Sequence, residues 1–280
     1  MKKFNDLKPK RRYWFGIVIV VIFIVLVFLF IQNKWIVVSQ YSVVNERIPE
    51  DFDGFRVVQV SDFHNAKFGK NNMILVEKIM KLKPDIIVIT GDLIDSNDTD
   101  IPVAIELLKQ LVQIAPTYYV TGNHENWLVQ DDKQELLEKL VNSGVVNLKN
   151  EALDLKKNDS SICLIGLNDE NLSDETLAKI TKDLDQDSYK ILLAHEPQHF
   201  ERYEKSSVDL ILSGHAHGGQ FRFPIVGGLY APDQGFQPKY SKGLYREGSS
   251  SMIVSAGLGN SVIKVRLLNH PDLVCVDLSN

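Results

Sequence analysis

Five short polar clusters in this chain carry side chains able to hold metal ions. They are Ser61-Asp62-Phe63-His64, Gly91-Asp92, Gly122-Asn123-His124-Glu125, His195-Glu196-Pro197 and Gly214-His215-Ala216-His217-Gly218-Gly219. Five of the seven histidines fall in them. Any one cluster alone reads as an ordinary turn, since Asp and Asn cap turns and Gly permits positive φ. Together they ask for a different account, because so many converging imidazoles are costly to bury without a cation to organise them. The donors are carboxylate, amide oxygen and imidazole, with no thiolate. That set suits Mn²⁺, Fe, Zn²⁺ or Ni²⁺ and does not choose among them, whereas Ca²⁺ or Mg²⁺ alone would want more oxygen. A carboxylate can bridge two ions about 3.5–4 Å apart, the spacing that clamps attacking and leaving oxygens in an in-line displacement at phosphorus.

The clusters share one position in the chain's pattern. Each comes directly after an apolar run: Arg56 to Val60, Ile86 to Thr90, Tyr118 to Thr121, Ile191 to Ala194 and Leu210 to Ser213. Short β-rich runs bounded by Gly and Asp read as buried strands. Between them, helices are expected over Asn71 to Leu82, Val103 to Ile114, Lys133 to Asn142 and Ser173 to Lys182, the last with Ser173 as N-cap. Strand–helix alternation points to an α/β fold with helices outside the sheets. In such folds ligands bind beyond the carboxyl ends of the strands, where all five clusters lie. Further strands are expected at Met252 to Ser255, Lys264 to Leu268 and Leu273 to Leu278. Pro224 to Gly248 reads as a long loop with short extended pieces.

At 280 residues, 44% apolar and 24% charged, the chain can bury a substantial core. Its net charge of −5 argues against a general nucleic-acid binder, so no stable nucleic-acid partner is expected. A phosphate substrate stays open, because bound cations can supply the positive charge it needs. Cys163 and Cys275 each sit in an apolar run and read as inert, buried strand residues.

The N-terminus differs from the rest. Residues 1–12 hold six basic residues against Asp6, and Tyr13 to Ile31 then runs without charge. That is close to the roughly 20 residues that cross a bilayer as a helix, with Tyr13, Trp14 and Trp35 where interfacial aromatics belong. The apolar core is too long for a cleaved signal, and no convincing cleavage site comes after it. The expected organisation is a basic cytoplasmic tail (1–12), a transmembrane signal anchor (13–33) and one catalytic domain (35–280). The basic cluster before the span places the N-terminus in the cytoplasm and the domain outside it. The β-rich WIVVSQYSVV from Trp35 leaves little spacer, so the domain is expected close to the bilayer.

Taken in order, the clusters resemble the calcineurin-like metallophosphoesterase superfamily: D-x-H, G-D, G-N-H-[DE], a lone His, then G-H-x-H. The likeness covers roughly residues 50–280. Gly218-Gly219-Gln220, Lys242-Gly243-Leu244-Tyr245 and Ser255-Ala256-Gly257-Leu258-Gly259, with the anchor, resemble its membrane-associated bacterial branch. Ala216 stands where Thr is frequent, and NSVIKVR lacks a proline expected before Arg266; neither touches a ligand position. The resemblance implies a four-layer α/β-β/α sandwich and two divalent metal ions, Mn, Fe or Zn. One would be held by Asp62, His64 and His217, the other by Asn123, His195 and His215, with Asp92 bridging. His124 would then face the substrate as the catalytic group, and a hydroxide shared by the metals would attack phosphorus. The implied activity is hydrolysis of a phosphoester or pyrophosphate bond in a small-molecule, lipid-linked or cell-envelope substrate. A metal-dependent nuclease and a non-catalytic binding module on the same fold are the alternatives. His199 and His270 read as surface or turn residues, and Arg222, Lys239, Tyr240 and Arg246 as solvated. Glu125 and Glu196 read equally as partners that orient imidazoles or as loop acids.

Overall fold

The apolar runs that end in the polar clusters become the central parallel strands of two sheets. A computed structural model describes the backbone of residues 9–171 and 173–280, and side chains from residue 13 onward except 171 and 172. Helix α1 (Pro9–Lys34) leads into β1 (Val37–Val44), β2 (Arg56–Val60), α2 (Met73–Leu82), β3 (Ile86–Thr90) and α3 (Ile101–Leu111). Next come β4 (Thr117–Val120), α4 (Asn123–Asn126), α5 (Gln130–Asn142) and β5 (Val146–Asn147). The second half begins with β6 (Glu151–Lys157), β7 (Ser160–Leu167), α6 (Asp174–Thr181), β8 (Lys190–Ala194), α7 (Phe200–Glu204) and β9 (Leu210–Ser213). Two small hairpins come next, β10 (Arg222–Phe223) with β11 (Gly227–Gly228), and β12 (Tyr230–Ala231) with β13 (Gly235–Phe236). Strands β14 (Gly243–Glu247), β15 (Ser250–Val254) and β16 (Asp272–Ser279) close the chain.

The first sheet has the order β1-β16-β2-β3-β4-β5 and the second β14-β15-β9-β8-β7-β6. In the first, β2, β3, β4 and β5 run parallel; in the second, β7, β8, β9 and β15 do. Period-two alternation splits each strand between two cores. Val57 and Val88 meet Leu164, Ile191, Leu193 and Leu212 between the sheets. Their neighbours Val58, Val60, Ile87 and Ile89 pack outward on Leu75 and Ile79 of α2 and Leu107 and Leu108 of α3. On the far side Ile165, Leu192 and Ile211 pack on Leu177 of α6 and Phe200 and Tyr203 of α7. The result is a four-layer α/β-β/α sandwich. Gln59 pins the two sheets together, donating from Nε2 to Ser213 O at 2.9 Å and Thr90 Oγ1 at 2.8 Å.

Several local expectations shift. Helix α2 starts only at Met73, because Asn71 and Asn72 adopt positive φ. Helix α3 starts at Ile101, with the Asp100 carboxylate accepting from Val103 N and a proline in the first turn. Ser173 caps α6 by accepting from Thr176 N. Edge strand β6 escapes a sequence reading, since EALDLKK spreads charge over its exposed face. Within the expected loop from Pro224, Gly243–Glu247 is a full strand paired with β15. The expected strand from Lys264 to Leu268 does not form: this stretch is a loop with one bridge, Phe221 to Leu267. Within it Arg266 is fully buried, which an ordinary strand reading does not anticipate. Cys163 and Cys275 are buried and unpaired, in the two opposite outer cores.

Helix α1 is long and apolar enough to cross a membrane, and its apolar window is not buried in the protein. Two residues separate it from β1, which pairs in parallel with the last strand, β16. The basic tail of residues 1–12 lies outside the described side chains.

Candidate dinuclear metal site

The five clusters meet at the carboxyl ends of β2, β3 and β4 in one sheet and β8 and β9 in the other. Building them there takes unusual backbone. Asp62, His64, Asp92, His215 and His217 all sit at positive φ, between 45° and 64°. Such strain persists where surrounding structure over-determines it, commonly at functional sites. Gly91, at φ 86°, is required for the same reason: a Cβ there would stand 2.5 Å from His195 Nδ1 and 2.8 Å from Gly122. Gly214 admits no side chain either, because a Cβ would collide with the Ser61 hydroxyl and the Asp62 carboxylate.

Two sets of donors form around Asp92. In the first, His64 Nε2 lies 3.2 Å from His217 Nε2 and 3.4 Å from Asp92 Oδ2, and Asp62 Oδ1 is 3.5 Å from His217 Nε2. In the second, Asn123 Oδ1 lies 3.0 Å from His195 Nε2 and 2.8 Å from His215 Nδ1. The same His195 nitrogen is 3.2 Å from His215 Nδ1 and 3.3 Å from Asp92 Oδ2. Asp92 Oδ2 thus stands in both sets. All seven residues predicted as ligands are brought together and buried. His195 Nδ1 is 2.7 Å from the Thr90 carbonyl, to which it donates, so Nε2 is the nitrogen that faces the cluster.

These sets fit divalent cations. His64 Nε2 and His217 Nε2 face each other at hydrogen-bond distance, and buried His64 Nδ1 has no hydrogen-bond partner among the described residues. Imidazole nitrogens and carboxylate oxygens gathered in a dry site are stabilised by a shared positive ion. Electrostatics sort the imidazoles. Burial lowers His64 to about 4 and holds His217 well below its ordinary value, so both are neutral and ready to ligate at neutral pH. For His195 burial also pulls downward, but the charge of Asp92 and its hydrogen bond raise it well above the ordinary value. Burial would raise Asp92, yet His195 keeps it well below the usual carboxylate range.

Glu125, undecided from sequence, proves to be a scaffold. Its carboxylate accepts backbone N–H bonds from Asp92 (3.0 Å), Leu93 (2.8 Å), Ile94 (3.2 Å) and Gly122 (2.7 Å). It therefore fixes the loop that carries Asp92 to the loop that carries Asn123. Burial, then the Asp92 charge, push its carboxyl up, while the backbone N–H groups of Gly122 and Ile94 and the charge of His195 hold it toward the ionised form. Glu196 accepts from His199 Nε2 at 2.9 Å and lies within 4.8 Å of His215 and Asp233 at the edge of the cluster.

His124 lies beside the donors, its ring 4.5 Å from that of His64. Ser96 N–H donates to His124 Nδ1 at 3.0 Å, so that nitrogen is the acceptor and the neutral ring carries its proton on Nε2. Several neighbours were not legible as site residues. Asp95 Oδ1 is 3.5 Å from His124 Nδ1, and Lys264 Nζ holds Asp95 Oδ2 at 2.6 Å. Asp233 Oδ2 sits 2.9 Å from His215 Nε2, and Arg266 Nη2 lies 3.4 Å from His217 Nδ1. Only the spacing Gly91-Asp92-x-x-Asp95 hinted at any of them. Arg222 and Tyr240, expected as solvated, have protein partners: Arg222 Nη1 donates to Gly218 O at 2.7 Å, and Tyr240 Oη to Glu247 at 3.0 Å. A cleft of about 370 Å³ opens onto Asp92, Asn123, His124, His215 and His217, walled by Trp127, Tyr230 and Ile263.

Residues 55–219 match the family model for calcineurin-like phosphoesterases. The chain belongs to this family. The metallophosphoesterase YkuE of Bacillus subtilis is 30% identical over 256 residues, covering 90% of this chain and 88% of that protein. The Escherichia coli phosphodiesterase YaeI is 26% identical over 227 residues, 80% of this chain and 82% of its own length. A bovine transmembrane protein with a metallophosphoesterase domain is 31% identical over 254 residues, 84% of this chain but 55% of its own length. The matched segment contains every one of the candidate ligands, from Asp62 to His217.

Proposed function

We propose that this chain is a membrane-anchored phosphohydrolase that uses two divalent cations to cleave phosphoester bonds, phosphodiesters first among them. The observation that carries the reading is the position of Asp92, whose Oδ2 belongs to both donor sets at once. Asp62, His64 and His217 would hold one cation, Asn123, His195 and His215 the other, with Asp92 between them. When bound, the cations supply Lewis-acid charge to the phosphoryl oxygens and acidify water at the site. Manganese, iron and zinc all suit these nitrogen and oxygen donors.

The chain's own residues do the rest. Water attacks phosphorus in line: one P–O bond forms, the bond to the leaving oxygen breaks, and the proton shed by the attacking water ends on the leaving oxygen. His124, whose Nδ1 accepts from Ser96 N–H, presents its Nε2–H at the cleft as a hydrogen-bond donor that stabilises the charge developing on the reacting oxygens and keeps its own proton. Walls of Trp127, Tyr230 and Ile263 limit water around the reacting group. Diester cleavage is favoured by the likeness to the phosphodiesterase YaeI. In this reading α1 is a retained anchor (residues 13–33), the domain (35–280) lies outside the cytoplasm, and the substrate is a lipid-linked or cell-envelope phosphoester. The apolar span and the resemblance to a transmembrane relative support the anchor. Hydrolysis of bis(p-nitrophenyl) phosphate and p-nitrophenyl phosphate by the full chain, with Mn²⁺ and after chelation, tests the reading. Activity that chelation and Asp92→Ala abolish supports it, as does a His124→Ala protein that keeps its metals but loses about 10²- to 10³-fold in rate. Inactivity with every divalent ion on both esters, or full activity in Asp92→Ala, overturns it.

A further inference from the structure

The loop from Asn260 to Leu268 has its polarity reversed. Arg266 is fully buried: Nε donates to Asn260 Oδ1 at 2.9 Å and Nη1 to Ala256 O at 2.6 Å. Lys264 pairs with Asp95 from an exposed position. The apolar residues before Arg266 face out as well, with Val262 81%, Ile263 43% and Val265 41% exposed. A soluble surface would favour the opposite arrangement.

This loop is clamped to the end of α1. Arg266 N donates to Asn33 Oδ1 at 2.9 Å, and its carbonyl accepts from Gln32 Nε2 at 3.0 Å and Asn33 Nδ2 at 3.1 Å. His270 Nδ1 adds a bond to the Gln32 carbonyl at 3.1 Å. The apolar span Tyr13–Lys34 has 22 residues, so at 1.5 Å per residue it is about 33 Å long against a hydrocarbon core of about 30 Å. Gln32 and Asn33 therefore stand at the core's edge, and the groups they hydrogen-bond stand there too. Exposed Trp35 beside them suits that depth. The same loop forms one wall of the cleft through Ser261, Val262 and Ile263, facing Trp127. Next to it, Arg222 N bonds Leu267 O at 2.9 Å, and the hairpin β10–β11 carries exposed Phe223, Ile225 and Val226.

We propose that this reversed rim docks into the bilayer surface beside α1, so that the cleft opens at headgroup level and receives phosphoesters carried by membrane lipids. The inference rests on α1 being a membrane anchor and goes further, since an anchor alone would let the domain stand clear of the lipid. Apolar side chains on such a rim would enter the boundary between headgroups and acyl chains.

The test uses the full chain in phosphatidylethanolamine–phosphatidylglycerol nanodiscs, with an environment-sensitive nitrobenzoxadiazole label on single added cysteines. Cys163 and Cys275 are buried, which leaves the added thiol as the reactive one. Labels at Val262→Cys, at Ile22→Cys within the span and at Lys179→Cys on exposed α6 are compared for quenching by doxyl lipids. Quenching of about twofold or more at 262 and 22, with none at 179, is the result expected for a rim that penetrates the boundary layer. Quenching at 22 but not at 262 overturns the docking and leaves the anchor standing. Absence of quenching at both overturns the anchor reading, and the docking with it. A blue shift at 262 without doxyl quenching means that protein, not lipid, covers the rim, and also overturns the proposal.

Discussion

Glu125→Gln is the substitution whose cost can be worked most directly from the geometry. The two carboxylate oxygens divide four buried N–H groups: Oε1 takes Leu93 and Ile94, Oε2 takes Asp92 and Gly122. An amide keeps one oxygen and turns an NH₂ toward the other two donors. Each buried donor left unmade costs about 1–3 kcal/mol, so the pair should cost about 2–6 kcal/mol. For a domain of this size each kcal/mol shifts the melting temperature by about 2–4 °C, so a drop of at least about 4 °C is expected. Because Asp92 and Gly122 flank the bridging position, the variant should also bind fewer cations per chain. Thermal unfolding of the Mn²⁺-loaded full chain in detergent, with metal content by mass spectrometry, reads both effects. Glu125→Ala should be worse, since it leaves all four donors unmade and adds a cavity. A Glu125→Gln protein that melts within about 1 °C of the parent and keeps both metals would refute the scaffold role, because no loss on that scale is compatible with two unmade buried bonds.

The same geometry has other consequences. Asp233→Asn removes the carboxylate that orients His215 through Nε2, and should weaken cation binding about 10- to 100-fold in a competition titration; unchanged affinity would remove Asp233 from the site. Before cations bind, Asp92 holds a proton on His195, raised well above its ordinary value, while His64 and His217 are already neutral. Loading at pH 7 must displace that proton, so calorimetry in buffers of different ionisation enthalpy should report about one proton released per chain, and affinity should fall as pH falls. A buffer-independent heat would contradict the assignment.

The candidate ligands were legible because each is local. Asp62, His64, Asp92, Asn123, His195, His215 and His217 all lie within a few residues of the end of an apolar run, and parallel strands deliver their C-terminal loops to one end of a sheet. The residues around them were not legible, because they arrive over long sequence distances. Asp233 reaches His215 from a hairpin turn whose residues look like any Pro-Asp corner, and Arg266 reaches His217 from a stretch that alternates like a strand. There only Arg266 turns inward, while Val262, Ile263 and Val265 face out with Lys264. Helix α1 was readable from composition alone, yet its clamp on the Arg266 backbone was not. Strand β14 was hidden for another reason: it is a short regular piece inside a Gly- and Pro-rich segment, and it forms because β15 offers it an edge.

Electron paramagnetic resonance of the Mn²⁺-loaded full chain tests the central claim, that Asp92 joins two cations in one site. An exchange-coupled Mn²⁺ pair is predicted for the parent protein, with Asp92→Ala losing the coupled signal and the hydrolytic activity together. A parent spectrum containing only isolated Mn²⁺ at full loading, or a coupled pair that survives Asp92→Ala, would contradict it.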